Sequence, residues 1–151
     1  MKILIVDDHP LALIAWSAMV RDHCGDAAEI VTLTSAAGLR KRLAEDHAFD
    51  LMLLDSQLWD GNGLMLLKEC HRRFPNMRIV LVSESEQFSD VINAIDLGAV
   101  GFLPKRSSIP TLRQALGLLI EGGVYVPPID LGTPLPAAAP WGSPGLRSSA
   151  S

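Results

Sequence analysis

The sequence is poor in cysteine, in aromatics and in net charge, and each shortage closes a route. Two cysteines, Cys24 and Cys70, are too few for a disulfide framework and lack the paired spacing of a zinc site, so a reduced, cytoplasmic setting is expected. No apolar run approaches the ~18 residues that a membrane span needs. The N-terminal run Ile3 to Val6 ends in two aspartates and is too short for the core of an export signal. Lys and Arg total 13 against 17 for Asp and Glu, a formal charge of −4, so no basic field is available to hold nucleic acid through its phosphates. What the chain does have is aliphatic. Hydrophobic residues make up 48% of the 151, of which aromatics are only 5%, enough for one core without staples.

Composition divides the chain near residue 128. Residues 129–151, IDLGTPLPAAAPWGSPGLRSSAS, are dominated by Pro, Gly, Ala and Ser. Such a segment buries too little apolar area to offset its ordering entropy, so a flexible tail or linker is expected, with Trp141 mobile rather than docked. No helix-turn-helix pattern follows residue 128.

Residues 1–128 alternate between two periodicities. Short aliphatic runs fall at Lys2–Val6, Glu29–Leu33, Leu51–Leu54, Ile79–Val82 and Val100–Leu103. Helical spacing fills the intervals at about Leu11–His23, Ala36–Asp46, Gly63–Phe74, Phe88–Leu97 and Ile109–Glu121. The runs are continuous rather than alternating, as parallel strands covered on both faces require. Pro10 and Pro110 suit first helical turns, while Pro75 and Gly98 follow helix ends. Five strand–helix repeats predict an α/β fold: a doubly wound, five-stranded parallel sheet with helices on both faces.

In such sheets, chemistry gathers where the strands end. The first run leaves through Asp7 and Asp8, the third through Asp55, the fourth through Ser83, and the fifth through Lys105. The second leaves only through Thr34 and Ser35, a helix cap. Three converging acids repel one another unless a cation neutralises them, and hard oxygen ligands without a dedicated cage suit Mg²⁺. A lysine and a hydroxyl opposite them stabilise an anionic group, so the set describes a phosphoryl group arriving on a carboxylate. Asp55, alone at a central strand end, is the expected nucleophile. Each residue taken singly is a turn former, a cap or a solvated charge; the order in which they occur makes the case.

On the stretches VDDHP (6–10), LLDSQLWDGNGLMLL (53–67), LVSES (81–85), GAVGFLPK (98–105) and EGGVYVPP (121–128), the sequence resembles a receiver domain of a two-component response regulator, close to those that precede LuxR/NarL-type DNA-binding domains. The resemblance implies a flavodoxin-like, CheY-like fold. It implies that Asp55 accepts the phosphoryl group, that Asp8 and Asp55 ligate Mg²⁺ directly, and that Asp7 holds it through water. The backbone carbonyl of Gln57 completes that set, Ser83 and Lys105 meet the phosphoryl oxygens, and Phe102 is the switch aromatic. The implied partners are a histidine kinase or phosphotransfer protein and, as one option, a second copy in a homodimer. DNA contact is implied only through a further C-terminal domain, with transcription regulation as the output.

Several positions depart from the family pattern. Leu58-Trp59-Asp60 stands where Met or Leu, Pro, then Gly or Asp is usual, and the missing proline frees a backbone dihedral. Glu84 replaces a small residue and is expected to repel a phosphodonor, and Arg106 replaces a proline. These departures keep a second reading open, a phosphate-independent interaction module. An aspartyl phosphohydrolase is a third, disfavoured because Asp7 and Asp8 are contiguous rather than two apart. His9 is expected to act structurally or electrostatically; His23, His47 and His71 read as surface residues, Cys70 as semi-buried packing and Trp16 as core. Gly61 and Gly63 read as a loop that permits positive φ.

Overall fold

The computed structural model describes residues 1–128; the expected tail and Trp141 lie outside the described residues. In chain order the elements are β1 (Lys2–Val6), α1 (Pro10–Cys24), β2 (Glu29–Leu33), α2 (Ala36–Glu45), β3 (Leu51–Asp55), β4 (Gln57–Leu58), β5 (Gly61–Asn62), α3 (Gly63–Arg73), β6 (Arg78–Ser83), α4 (Phe88–Asp96), β7 (Gly101–Pro104) and α5 (Ile109–Ile120). Five strands form one parallel sheet in the order β2-β1-β3-β6-β7, while β4 and β5 make a separate antiparallel hairpin. The expected doubly wound fold is present, with ends shifted by about one residue, as fraying elements allow.

Continuous aliphatic runs are used on both faces because successive strand side chains point to opposite sides. Leu4, Val6, Met52, Leu54, Ile79, Leu81 and Phe102 face α2, α3 and α4 through Leu39, Leu43, Leu66, Leu67 and Val91. Ile3, Ile5, Leu51, Leu53, Val80, Val82 and Leu103 face α1 and α5 through Trp16, Val20, Leu112, Leu116 and Leu119. Trp16 is core, as its place in the sequence suggests. Cys70 is fully buried rather than semi-buried, because α3 turns that position onto the first of these faces.

The chain runs from β1 outward to β2, then returns to β3 on the other side of β1. Loops leaving β1 and β3 therefore diverge, and a crevice opens at the carboxyl ends of the central strands. Helix ends are fixed by side chains: Ser35 Oγ accepts from Gly38 N at 2.9 Å and Asn62 Oδ1 from Leu64 N at 2.8 Å. Beyond α5, Tyr125 forms a parallel bridge with Gly101; Phe102 N donates to Tyr125 O at 3.1 Å, covering the outer edge of β7. Among the described residues, no helix is long and apolar enough to cross a membrane.

Candidate functional site

Asp7 and Asp8 leave β1, and Asp55 ends β3, so neighbouring parallel strands deliver three carboxylates to one rim. Ser83 ends β6 beside them. Lys105 follows β7, and its backbone N–H donates to Ser83 O at 2.7 Å, which fixes where its side chain starts. Lys105 Nζ then reaches Asp7 Oδ2 at 3.0 Å and Asp55 Oδ1 at 3.4 Å. Asp7, Asp8, Asp55 and Lys105 meet at this rim, with Ser83 at the end of the adjacent strand, and Asp7, Asp55 and Ser83 are buried.

Burial alone raises the Asp7 carboxyl, but hydrogen bonds from the His9 backbone and ring, with Lys105, hold it below the usual carboxylate range. Asp55 goes the other way. Burial first, then the Asp7 charge, pushes it up to about 6 against the pull of Lys105. Burial also works against the charged Lys105, yet its bond to Asp7 and the Asp55 charge raise its pKa above the ordinary lysine value. The His9 ring bonds Asp7 through Nδ1 at 2.9 Å, and this bond raises the histidine above its usual value. His9 is thus held against Asp7 by both its backbone and its ring.

One ligand atom from each of Asp7, Asp8, His9 and Asp55 lies within 4.8 Å of the others, a group that could hold a metal ion. Asp8 Oδ1 and Asp55 Oδ2 are buried and accept no hydrogen bond, although His9 Nδ1 stands 3.1 and 3.8 Å from them. Buried carboxylate oxygens without donors are costly unless a cation meets them, and the three carboxylates of this group fit a hard divalent ion. Gln57 lies two residues from Asp55, and its N–H is 3.4 Å from Asp55 Oδ1; its side chain is exposed.

The other half of the rim is roomier. Ser83 Oγ is 3.2 Å from Ser56 Oγ and accepts from Ser85 N at 3.1 Å. Ser83 and Phe102 both line a cavity of about 700 Å³ between the loop after β6 and the start of α3, together with Leu64, Leu81 and Gln87. Phe102 is completely buried.

One local expectation is corrected. Gly61 and Gly63 do not adopt positive φ. They are glycine because neighbours leave no room: a Cβ on Gly63 would stand 2.4 Å from Asp55 O, and one on Gly61 2.9 Å from Ala36 Cβ. The loop after Asp55, which lacks the proline, is held by hydrogen bonds. Its hairpin pairs Gln57 with Asn62, Trp59 N donates to Asp8 Oδ2 at 2.8 Å, and Asp60 bonds Ala36 N at 2.7 Å. The exposed Glu84 carboxylate stands 4.0 Å from Arg106 Nε. Of the remaining histidines, His47 stacks on Phe74, His23 pairs with Glu121, and the His71 ring fills the space beside Gly98.

Comparison with known proteins follows the same lines. The family model described as the response regulator receiver domain matches residues 3–117. The glycerol metabolism activator of Pseudomonas putida is 34% identical over 129 residues, covering 84% of this chain and 57% of that protein. The alginate biosynthesis transcriptional regulatory protein AlgB of the same species is 32% identical, covering 80% of this chain and 26% of that one. This chain therefore spans only part of these relatives. Among solved structures, the isolated REC domain of RcsB from Salmonella enterica serovar Typhimurium, in the presence of the phosphomimetic BeF3-, superposes with a TM-score of 0.74 at 22% identity, over 84% of this chain and 93% of that one. At that identity the likeness speaks for the fold.

Proposed function

The chain belongs to the response regulator receiver domain family, and from that premise we propose that it is a phosphorylation-controlled switch that takes a phosphoryl group onto Asp55. The observation that carries this reading is the Lys105 ammonium set between Asp7 and Asp55, beside the buried Asp8 Oδ1 and Asp55 Oδ2, which accept no hydrogen bond. Asp8 and Asp55 would hold Mg²⁺ directly, with Asp7 acting through water and the Gln57 carbonyl completing the protein's share. When bound, the ion neutralises the acids and the incoming phosphoryl oxygens.

The step is a displacement at phosphorus. An Asp55 oxygen forms the new P–O bond while the bond to the donor breaks, and the leaving imidazole or carboxylate keeps the electron pair. Asp55 must be ionised to attack, and with its pKa near 6 it is so at neutral pH. Lys105 neutralises charge that builds on the phosphoryl oxygens, and Ser83 offers them a hydroxyl donor. Once phosphorylated, Asp55 no longer binds Lys105 as a free carboxylate. Ser83 and Phe102, on the wall of one cavity, then carry the change toward α4, β7 and α5. The donor in this reading is a histidine kinase, a phosphotransfer protein or a small acyl phosphate in the cytoplasm. The output is transcription regulation through a further domain, with a homodimer as one assembly, and direct DNA contact is not assigned to this piece.

The test is incubation of the 151-residue chain with acetyl phosphate, with Mg²⁺ or with EDTA, followed by intact mass measurement. One phosphoryl group is expected with Mg²⁺, little with EDTA, and none on Asp55→Asn. An adduct that persists in Asp55→Asn, or no adduct from acetyl phosphate and phosphoramidate alike, overturns the proposal.

A further inference from the structure

We infer that Asp60 is a positioning residue for Asp8: it anchors the β4–β5 turn to the amino end of α2, so that the Trp59 backbone N–H holds Asp8 Oδ2 and leaves Oδ1 for the cation. This deepens the proposed function and rests on the reading that Asp8 and Asp55 hold Mg²⁺.

The anchor is bidentate. Asp60 Oδ1 accepts from Ala36 N at 2.7 Å and Oδ2 from Ala37 N at 3.1 Å, across sequence separations of 24 and 23 residues. Helix α2 already has its own cap in Ser35, which takes Gly38 N. Asp60 uses the two first-turn amides that Ser35 leaves free, where the positive end of the helix favours a carboxylate. The same bonds lower the Asp60 pKa, the one from Ala36 most. Gly61 seals the contact, since a side chain there would collide with Ala36.

From this anchor the turn presents one amide to the acidic rim. Trp59 N donates to Asp8 Oδ2 at 2.8 Å, while Trp59 as a whole is 77% exposed, so the backbone and not the ring makes the connection. A proline at position 59 could not make this bond, having no N–H. With Oδ2 occupied, the Asp8 carboxylate is turned so that Oδ1 is buried, without a hydrogen bond, beside the other acids. Carboxylates that hold metals bind best when a neighbouring donor fixes their orientation. Asp60 supplies that orientation at one remove.

The experiment compares wild type, Asp60→Ala, Asp60→Asn and Ser35→Ala as full chains. It reads Mg²⁺ affinity by titration calorimetry, Trp59 amide exchange by NMR in metal-free protein, and Tm. Asp60→Ala is expected to weaken Mg²⁺ about tenfold and to speed exchange of the Trp59 amide, whereas Asp60→Asn, which keeps one acceptor oxygen, weakens Mg²⁺ by less than about threefold. Ser35→Ala also loosens the start of α2 and lowers Tm, but leaves Mg²⁺ affinity and Trp59 exchange as in wild type. Unchanged Mg²⁺ affinity in Asp60→Ala overturns the inference, and so does an equal loss in Ser35→Ala. A wild type that binds no Mg²⁺ overturns the functional reading instead. Trp59 exchange, measured without metal, then still decides whether Asp60 holds the turn.

Discussion

Residues 56–62 and 84–87 leave adjacent central strands at the same rim, and they are fastened in different ways. The first segment is tied to three other elements: Ser56 N to Val82 O, Trp59 N to Asp8, and Asp60 to the start of α2. The buried Leu58 side chain also pins its hairpin to the core. The second segment is tied to itself, to the end of β6 and to α4, through Gln87 N to Ser85 Oγ, Ser85 N to Ser83 Oγ, and Ser85 Oγ to Asp90. One long ion pair joins Glu84 to Arg106, and the segment lines the open cavity of about 700 Å³. The carboxylates that could hold a cation sit beside the segment tied to more elements, where pre-orientation would lower the cost of binding. The hydroxyl and the buried aromatic sit beside the segment with space to move. On the proposed function, the first segment builds the site and the second reports its state.

The largest expected effect tests the cavity wall. Phe102→Ala should cost about 3–5 kcal/mol in urea unfolding, since a fully buried ring is removed next to existing empty space. A loss under ~1 kcal/mol would mean that the second segment collapses onto the gap, and the contrast would fail. Next comes the fixed charge: Lys105→Ala should slow phosphorylation by acetyl phosphate about 10²-fold, as loss of one prebuilt donor to a developing oxyanion does. An unchanged rate would remove Lys105 from the chemistry.

A further effect follows from Asp55. Its carboxyl, 3.8 when free, is pushed up to about 6 by burial and by Asp7. Below pH 3.8 both folded and unfolded chains are protonated there, and the native state is not penalised. As pH rises toward 6 the unfolded chain releases its proton first, so stability falls across that window and then levels off. Asp55→Asn, always neutral, escapes the loss. In EDTA at neutral pH it should exceed wild type by about 3 kcal/mol in denaturant unfolding, and the gap should close as pH drops toward 4. A gap that widens on acidification contradicts the assignment. The smallest effect is Ser85→Ala, about 1 kcal/mol, because it breaks bonds local to the looser segment.

Much of this was legible in the chain itself. Five aliphatic runs without alternation fixed a sheet covered on both sides, and the residues at their ends, Asp7, Asp8, Asp55, Ser83 and Lys105, arrive at one rim as strand adjacency requires. The β4–β5 hairpin was not legible: two-residue strands, Gln57–Leu58 and Gly61–Asn62, show no period. Nor was the Asp60 anchor, because its partners lie more than 20 residues away and only the folded hairpin brings them close. Gly61 and Gly63 were legible as glycines with a purpose, but steric crowding and positive φ leave the same letter in the sequence. The Tyr125 bridge likewise depends on the free edge of β7, which no local pattern announces.

The central contrast is tested most directly by backbone hydrogen exchange of the Mg²⁺-loaded chain before and after acetyl phosphate, read residue by residue. Exchange at 84–87 and at Phe102 should change while exchange at 57–62 stays where it was. A change centred on 57–62, or none in either segment once Asp55 carries its phosphoryl group, would contradict the account.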